Sequence, residues 1–144
     1  MSNNIYINLL IFIILVIIPY GIEYSENYNI LINRTDASLV LLFHHIGSAY
    51  IYFGSILFRF YKFHILVCVF VLVMWIKSKF NCIITEMYNK MININPNDKL
   101  KDITYYISKI TEIKYLHIFL LIGLLFYDMD NIFKSIAIKH GKIK

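Results

Sequence analysis

The sequence is poor in charge and contains no glutamine. Charged residues make up 16% of its 144 residues, whereas soluble domains carry about 25%. Hydrophobic residues make up 59%, and the mean hydropathy is +0.63. So little polarity disfavours a soluble enzyme, a nucleic-acid-binding domain and a disordered chain. The composition predicts a membrane protein that is long enough for several spans of about 20 residues each.

Cysteine, proline and glycine are also scarce, at two, two and five residues. The cysteines, Cys68 and Cys82, cannot form a disulfide framework and show neither Cys-x-x-Cys nor zinc-ligand spacing. Cys68 lies inside an apolar run, where a thiol behaves as a small hydrophobe. Phosphate loops and nucleophile motifs are absent from the sequence. Because the spacing shows no set of three convergent catalytic groups, an independent membrane enzyme is the least favoured class.

The abundant residues share AT-rich codons: 29 Ile, 12 Asn, 12 Lys, 11 Phe and 12 Tyr. This bias is typical of an organelle genome or an AT-rich protist. Residues 1–4 lack the Arg-rich, amphipathic character of a transit peptide, as expected of a mitochondrially encoded protein or a nuclear-encoded inner-membrane protein with internal targeting. The formal charge of +5 is spread over four polar segments. We expect it to set topology and to contact anionic lipid headgroups, with no nucleic-acid partner.

Four apolar runs predict an all-α, multi-pass transmembrane fold with three or four membrane helices and one amphipathic segment. The expected membrane helices cover about 5–22, 37–58, 63–79 and 113–128, and residues 80–112 are expected to be extramembrane. The third run has only 12 strictly apolar residues, which suits a buried or re-entrant segment as well as a span. One continuous helix over 37–79 would be about 64 Å long. Either the chain turns at 59–64 or a long helix projects from the membrane.

Four further patterns bear on topology and location. The first run resembles the apolar part of a signal peptide, but an uncharged start and the lack of a small-x-small site favour a retained helix. Apolar residues at 100, 103, 107 and 110 predict a helix that lies on the membrane or against a partner. Asn33-Arg34-Thr35 is a formal glycosylation sequon. Counting Lys and Arg leaves the orientation open, because the basic 77–114 segment and the basic tail fall on opposite sides with either three or four spans.

The histidines are the main candidates for chemistry, since an ionisable residue inside a membrane is a functional-site hypothesis. The chain has five: His44, His45, His64, His117 and His140. The first two and His117 fall inside predicted spans, where an interhelical hydrogen bond is the structural alternative, whereas His64 and His140 are expected to be interfacial or solvated. His117 and Asp128 are almost three helical turns apart and share one helix face. That arrangement suits a haem ligand within the bilayer and a polar site at its edge.

Two short stretches resemble the cytochrome-b membrane anchor of succinate dehydrogenase, respiratory complex II. Members of that family open their first span with Phe-His-Arg-(Ile/Val)-(Ser/Thr)-Gly, and this chain has Phe43-His44-His45-Ile46-Gly47-Ser48. Their next span carries His-x3-Gly-x-Arg-His-x3-Asp, of which His117 and Asp128 match the first and last positions. The resemblance covers about 28 residues. The same His-x10-Asp spacing occurs in the partner anchor subunit, so either anchor fits.

The resemblance implies a function and a set of site residues. It implies that His117 ligates haem b and that His45, Ser48 and Asp128 border a ubiquinone site. The expected protein is a non-catalytic integral subunit of a mitochondrial inner-membrane respiratory complex, most simply a complex II anchor that supports electron transfer to ubiquinone. Two alternatives remain open. One is a structural accessory subunit of complex I, complex IV or ATP synthase, and the other is a secretory-pathway membrane protein.

Overall fold

The computed structural model describes residues 4–79, 81–95, 98, 100–113 and 115–139. Of the described residues 83% are helical, and none of them forms a strand. The helices are α1 (Ile5–Glu26), α2 (Tyr28–Leu31), α3 (Thr35–Phe58), α4 (Tyr61–Lys77), α5 (Ile83–Met91), α6 (Ile103–Thr111) and α7 (Leu116–Lys139). The predicted all-α, multi-pass fold is confirmed, since α1, α3 and α7 are each long and apolar enough to cross a membrane.

The helix bounds differ from the predicted ones mainly at the ends. Helix α1 continues past residue 22, through Pro19 to Glu26, because transmembrane helices tolerate the loss of one backbone donor at proline. Helix α7 begins at Leu116, after the predicted residue 113, and continues to Lys139. Asp128 therefore lies at the middle of α7 and not at its end. The segment 80–112, expected to be extramembrane, contains both α5 and α6.

The chain turns sharply between α3 and α4, so the alternative of one long helix over 37–79 is wrong. Arg59 adopts a left-handed conformation with φ of 59°. Its backbone N–H donates to the carbonyl of Ser55 at 2.9 Å, which is a common way for a helix to end. Helix α4 then has 17 residues, or about 26 Å at about 1.5 Å per residue. That is slightly less than the roughly 30 Å of a bilayer core.

The four long helices run alternately up and down. Asn8 on α1 donates to the carbonyl of Leu57 near the end of α3 at 2.7 Å, while the hydroxyls of Tyr20 and Ser38 meet at 3.0 Å at the other end. Helix α7 packs along α4 in the same antiparallel manner. Helix α3 is central, since it contacts α1, α4, α5 and α7. We call the end at which α1 and α4 finish and α3 and α7 begin the loop end.

Helices α5 and α6 fold back onto the loop end. A buried apolar cluster joins α2, α3, α5 and the chain after α5; its members are Leu31, Ala37, Leu41, Tyr88, Ile92 and Leu100. The buried carboxylate of Glu23 accepts a hydrogen bond from the backbone N–H of Lys101 at 2.6 Å, and the Lys101 ammonium pairs with Glu26. These contacts hold the connection between α5 and α6 against the end of α1.

The outer surface of the bundle is apolar. Leu66, Phe119 and Phe126 expose about two thirds of their surface, and similar side chains cover the outside of α1. Ile107 and Ile110 of the predicted amphipathic segment also face outward on α6. Apolar surface of this extent in one chain indicates contact with lipid or with other protein.

Candidate functional site

A cavity of about 300 Å³ opens at the loop end, between α3, α4, α5, α6 and α7. Its walls are mainly apolar and aromatic, with Phe70, Met74, Trp75, Ile83 and Tyr105 among them. Among the polar side chains that line it are His44, Ser48, Cys82, Asp102 and His117. A mostly apolar cavity with a few convergent polar groups is the usual form of a small-molecule site.

Four of these side chains form a continuous polar chain, which we call the Cys82 relay. The Cys82 sulfur lies 3.7 Å from Nδ1 of His44. The other ring nitrogen, Nε2, lies 3.5 Å from the Ser48 hydroxyl, which donates to Oδ2 of Asp102 at 3.2 Å. His44 and Asp102 are themselves 3.9 Å apart, too far for a direct hydrogen bond, so Ser48 connects them.

The hydrogen-bond directions set the tautomer of His44. The Ser48 hydroxyl proton goes to the Asp102 carboxylate, so Ser48 can only accept from His44. Nε2 of His44 therefore carries a proton, and Nδ1 of the neutral ring presents its lone pair to Cys82. This orientation lets Nδ1 take the thiol proton. His44 is buried, and so is protected from competing water.

Each member of the relay is positioned by local structure. His44 and Ser48 are one helical turn apart on α3 and therefore share a face. Asp102 caps the N-terminus of α6, where Oδ1 accepts from the backbone N–H of Tyr105 at 2.9 Å and from the Thr104 hydroxyl at 2.7 Å. Cys82 occupies the corresponding cap position of α5, beside the partial positive charge of the helix N-terminus.

These surroundings favour the thiolate form of Cys82. Burial by itself raises the pKa of the thiol, but the hydrogen bond and charge of His44, together with contacts from Thr85, lower the pKa from an ordinary 9.0 to about 7. A thiol with such a pKa is about half ionised at neutral pH, and the thiolate is the nucleophilic form.

His117 lies on the opposite wall of the cavity, at the start of α7. Its ring packs edge-on against Trp75, with the ring centroids 4.9 Å apart. Haem ligation by His117 stays a prediction. The described residues contain no cluster of three metal-ligating side chains.

His45 and Asp128, expected beside Ser48 at the quinone site, do not line this cavity. His45 follows His44 directly and therefore points about 100° away around α3, towards α1, where its ring meets Tyr20 edge-on. It is 1% exposed, and neither ring nitrogen has a hydrogen-bond partner in the described part of the chain. Asp128 is about three turns along α7 from His117. The structure thus brings Ser48 and His117 together at this cavity. His45 lies with Ser48 at a much smaller pocket between α1 and α3, and Asp128 lies at neither.

Asp128 instead forms a buried pair with His64. Both side chains are fully buried, and Oδ2 of Asp128 contacts Nδ1 of His64. The other ring nitrogen of His64 donates to the carbonyl of Ile51 on α3 at 2.9 Å. The pair therefore links α3, α4 and α7. Of the expectation that His64 is interfacial or solvated, the solvated alternative is wrong: α4 begins at Tyr61, and His64 is fully buried against α3 and α7. His140 lies outside the described residues.

The relay was not visible in the sequence because its members are far apart along the chain. His44, Cys82 and Asp102 are separated by 38 and 20 residues, and Asp102 carries no motif of its own. Only the return of α5 and α6 to the loop end brings the three together. The available signal was local: Cys82 and Asp102 each precede a short amphipathic segment, as cap residues do.

Comparisons with known proteins do not add to this picture. No protein-family model, characterised protein or solved structure matches the chain. The case for a function rests on the cavity, the Cys82 relay and the apolar outer surface.

Proposed function

We propose that this chain is an integral membrane subunit of a mitochondrial respiratory complex, a complex II type anchor whose loop-end cavity takes the headgroup of ubiquinone. One observation carries the proposal. Ser48 and His117 come from the two stretches that resemble the complex II anchor family, 69 residues apart, and they line the same cavity. Residues so far apart on two different helices would not be expected to line one cavity by chance.

The chemistry of the cavity suits a quinone. Its aromatic walls, with Trp75 and Phe70, can stack on a flat ring. A ring carbonyl can take the place of Asp102 as the acceptor of the Ser48 hydroxyl proton. Bound ubiquinone supplies the capacity to accept electrons from partner subunits. The residues of this chain would orient the ring and exclude water from it.

The outer surface supports assembly with other subunits within the bilayer. The exposed apolar side chains of α1, α4 and α7 require lipid or neighbouring helices. Lysines at both ends of the bundle suit anionic lipid headgroups. The inner mitochondrial membrane is proposed as the location on the codon bias and on the complex II resemblance.

The proposal is tested by purifying the chain from its own membranes in mild detergent and identifying what co-purifies. We expect the flavin and iron–sulfur subunits of succinate dehydrogenase, with succinate–quinone activity. Partners from complex I, complex IV or ATP synthase would show an accessory subunit instead, and glycan on Asn33 would show a secretory-pathway protein.

Variants of the purified complex test the cavity itself. Ser48→Ala and His117→Leu should raise the KM for quinone or lower the quinone-dependent rate, while succinate oxidation with an artificial acceptor is kept. Ser55→Ala is the matched control, because Ser55 is buried on the same helix but does not line the cavity. If an active complex shows no change in either variant, the cavity is not the quinone site.

A further inference from the structure

We propose that Cys82 is a nucleophile that accepts an acyl group from a fatty-acyl thioester and holds it as an S-acyl chain inside the loop-end cavity. This activity goes beyond the proposed anchor function, since it needs neither a quinone nor a partner subunit. An S-acyl chain and a quinone headgroup would compete for the same space. The two proposals are tested separately, the first by the quinone-dependent rate and the second by mass spectrometry of Cys82.

Cys82 and His44 have the geometry of a nucleophile and its base. The Cys82 sulfur faces the unprotonated Nδ1 of His44 at 3.7 Å, within reach for transfer of the thiol proton. A nucleophile, a base within hydrogen-bond reach and a third group that orients the base are the recurring parts of covalent catalysis. Here Asp102, acting through Ser48, is the orienting group.

The charge distribution around the sulfur stabilises the thiolate and the protonated base. Protonated His44 is stabilised by the Asp102 carboxylate at 3.9 Å, and the Cys82 thiolate by the N-terminus of α5, a helix of nine residues. The first N–H groups of a helix have no partner within it. Those of α5 lie beside Cys82 and can donate to the oxygen of an attacked carbonyl, as in an oxyanion hole.

The shape and lining of the cavity select the substrate. The sulfur opens into about 300 Å³ with mainly apolar walls, enough for roughly ten methylene-sized groups at about 30 Å³ each. A fatty-acyl chain gains about 0.8 kcal/mol for each methylene that it buries. Short polar thioesters gain almost nothing. The cavity wall includes Phe70, one of the exposed apolar side chains of α4, so the cavity borders the apolar surface that would face fatty-acyl chains in a bilayer.

The reaction balances without an oxidant or reductant. His44 Nδ1 takes the proton of the Cys82 thiol, and the thiolate attacks the thioester carbonyl. A new carbon–sulfur bond forms to Cys82, and the original carbon–sulfur bond breaks. The departing thiolate receives the proton from His44. The products are S-acyl Cys82 and a free thiol.

The test is to incubate the purified protein, with whatever subunits co-purify, with decanoyl- and palmitoyl-coenzyme A, and with acetyl-coenzyme A for comparison. Mass spectrometry should find one hydroxylamine-sensitive acyl group on Cys82, formed faster from the two longer donors. Cys82→Ser should abolish it. Cys68→Ser, which removes the other thiol, should keep it.

The role of the base is tested with His44→Phe. Without His44 the thiol pKa returns to 9.0 or higher, so the thiolate fraction at pH 7 falls about fiftyfold, while the greater nucleophilicity of the more basic thiolate restores roughly six- to tenfold. We expect acylation at least about fivefold slower. Ser48→Ala, a smaller change, should slow it in the same direction.

Three results would overturn the proposal. The first is the absence of a thioester on wild-type Cys82 after incubation with any donor. The second is equal labelling of Cys68, which would show nonspecific transfer. The third is a His44→Phe rate within twofold of wild type in a protein that keeps its wild-type melting temperature, because the relay would then have no part in the step.

Discussion

Within the buried pair, His64→Leu should destabilise the protein more than Asp128→Leu. Without His64 the Asp128 carboxylate has no hydrogen-bond partner among the described residues, because its other oxygen, Oδ1, already lacks one. Stranding a buried charge costs about 3–5 kcal/mol. Without Asp128, by contrast, His64 still donates to the carbonyl of Ile51, and Nδ1 keeps only a weak contact with the Cys68 sulfur at 3.6 Å, at a cost of about 1–3 kcal/mol.

Replacing both residues with leucine should restore much of the loss. The double variant strands neither group, and exchange of a buried ion pair for apolar side chains is often neutral or stabilising. The two single costs together come to about 4–8 kcal/mol by these figures, whereas the double variant should cost about 2 kcal/mol or less. The coupling free energy in the double-mutant cycle should therefore be at least about 2 kcal/mol.

The cycle is measured by detergent-induced or thermal unfolding of the protein purified in mild detergent with its co-purified subunits. Asp130→Leu on the same helix is the matched control, since Asp130 is exposed and pairs with Lys134 at the surface; its unfolding midpoint should not change. Additivity of the two single costs to within about 0.5 kcal/mol would refute the reasoning, as would a cost of Asp128→Leu that exceeds that of His64→Leu.

Three further predictions concern the loop end and the membrane. Cys82, which shares the cavity with His44, Asp102 and His117, should react with a small aromatic disulfide at a rate that rises with pH through about 7, because deprotonation makes the nucleophile; a midpoint near 9 would contradict the His44 contact. Glu23→Ala should cost about 1–3 kcal/mol of unfolding free energy, because the Lys101 N–H loses its acceptor, and Glu26→Ala should cost less; equal costs would contradict this. Alkaline carbonate should leave the chain in the membrane pellet, and its release would contradict an integral protein.

The long helices were predictable because a bilayer imposes one strong rule. Every backbone polar group in the bilayer core must be satisfied internally, so an uncharged run such as 37–58 has few alternatives to a helix. The ends were harder, since they depend on individual caps. Arg59 ends α3 in a left-handed conformation that is uncommon for a residue other than glycine, and nothing in the adjacent residues favours that over continuation.

The site was less predictable because side-chain partners depend on packing. A charged residue in a span requires a partner, and Asp128 was placed in one by its spacing from His117. The sequence alone did not identify that partner as His64, which follows a basic, aromatic stretch of interfacial type. The Cys82 relay was harder to predict. Cys82 and Asp102 belong to a segment that is held against the bundle by the burial of Leu100 and by the hydrogen bond to Glu23.

Asp102 connects the N-terminus of α6 to the Cys82 relay. One carboxylate oxygen begins α6, and the other ends the Cys82 relay. An isolated helix of nine residues is unstable in water, so α6 depends on its cap and on a surface for the outward-facing Ile107 and Ile110. Loss of such a surface would loosen α6 and, with it, the Asp102 carboxylate that orients His44 through Ser48. Assembly of the nucleophile would then depend on what covers α6.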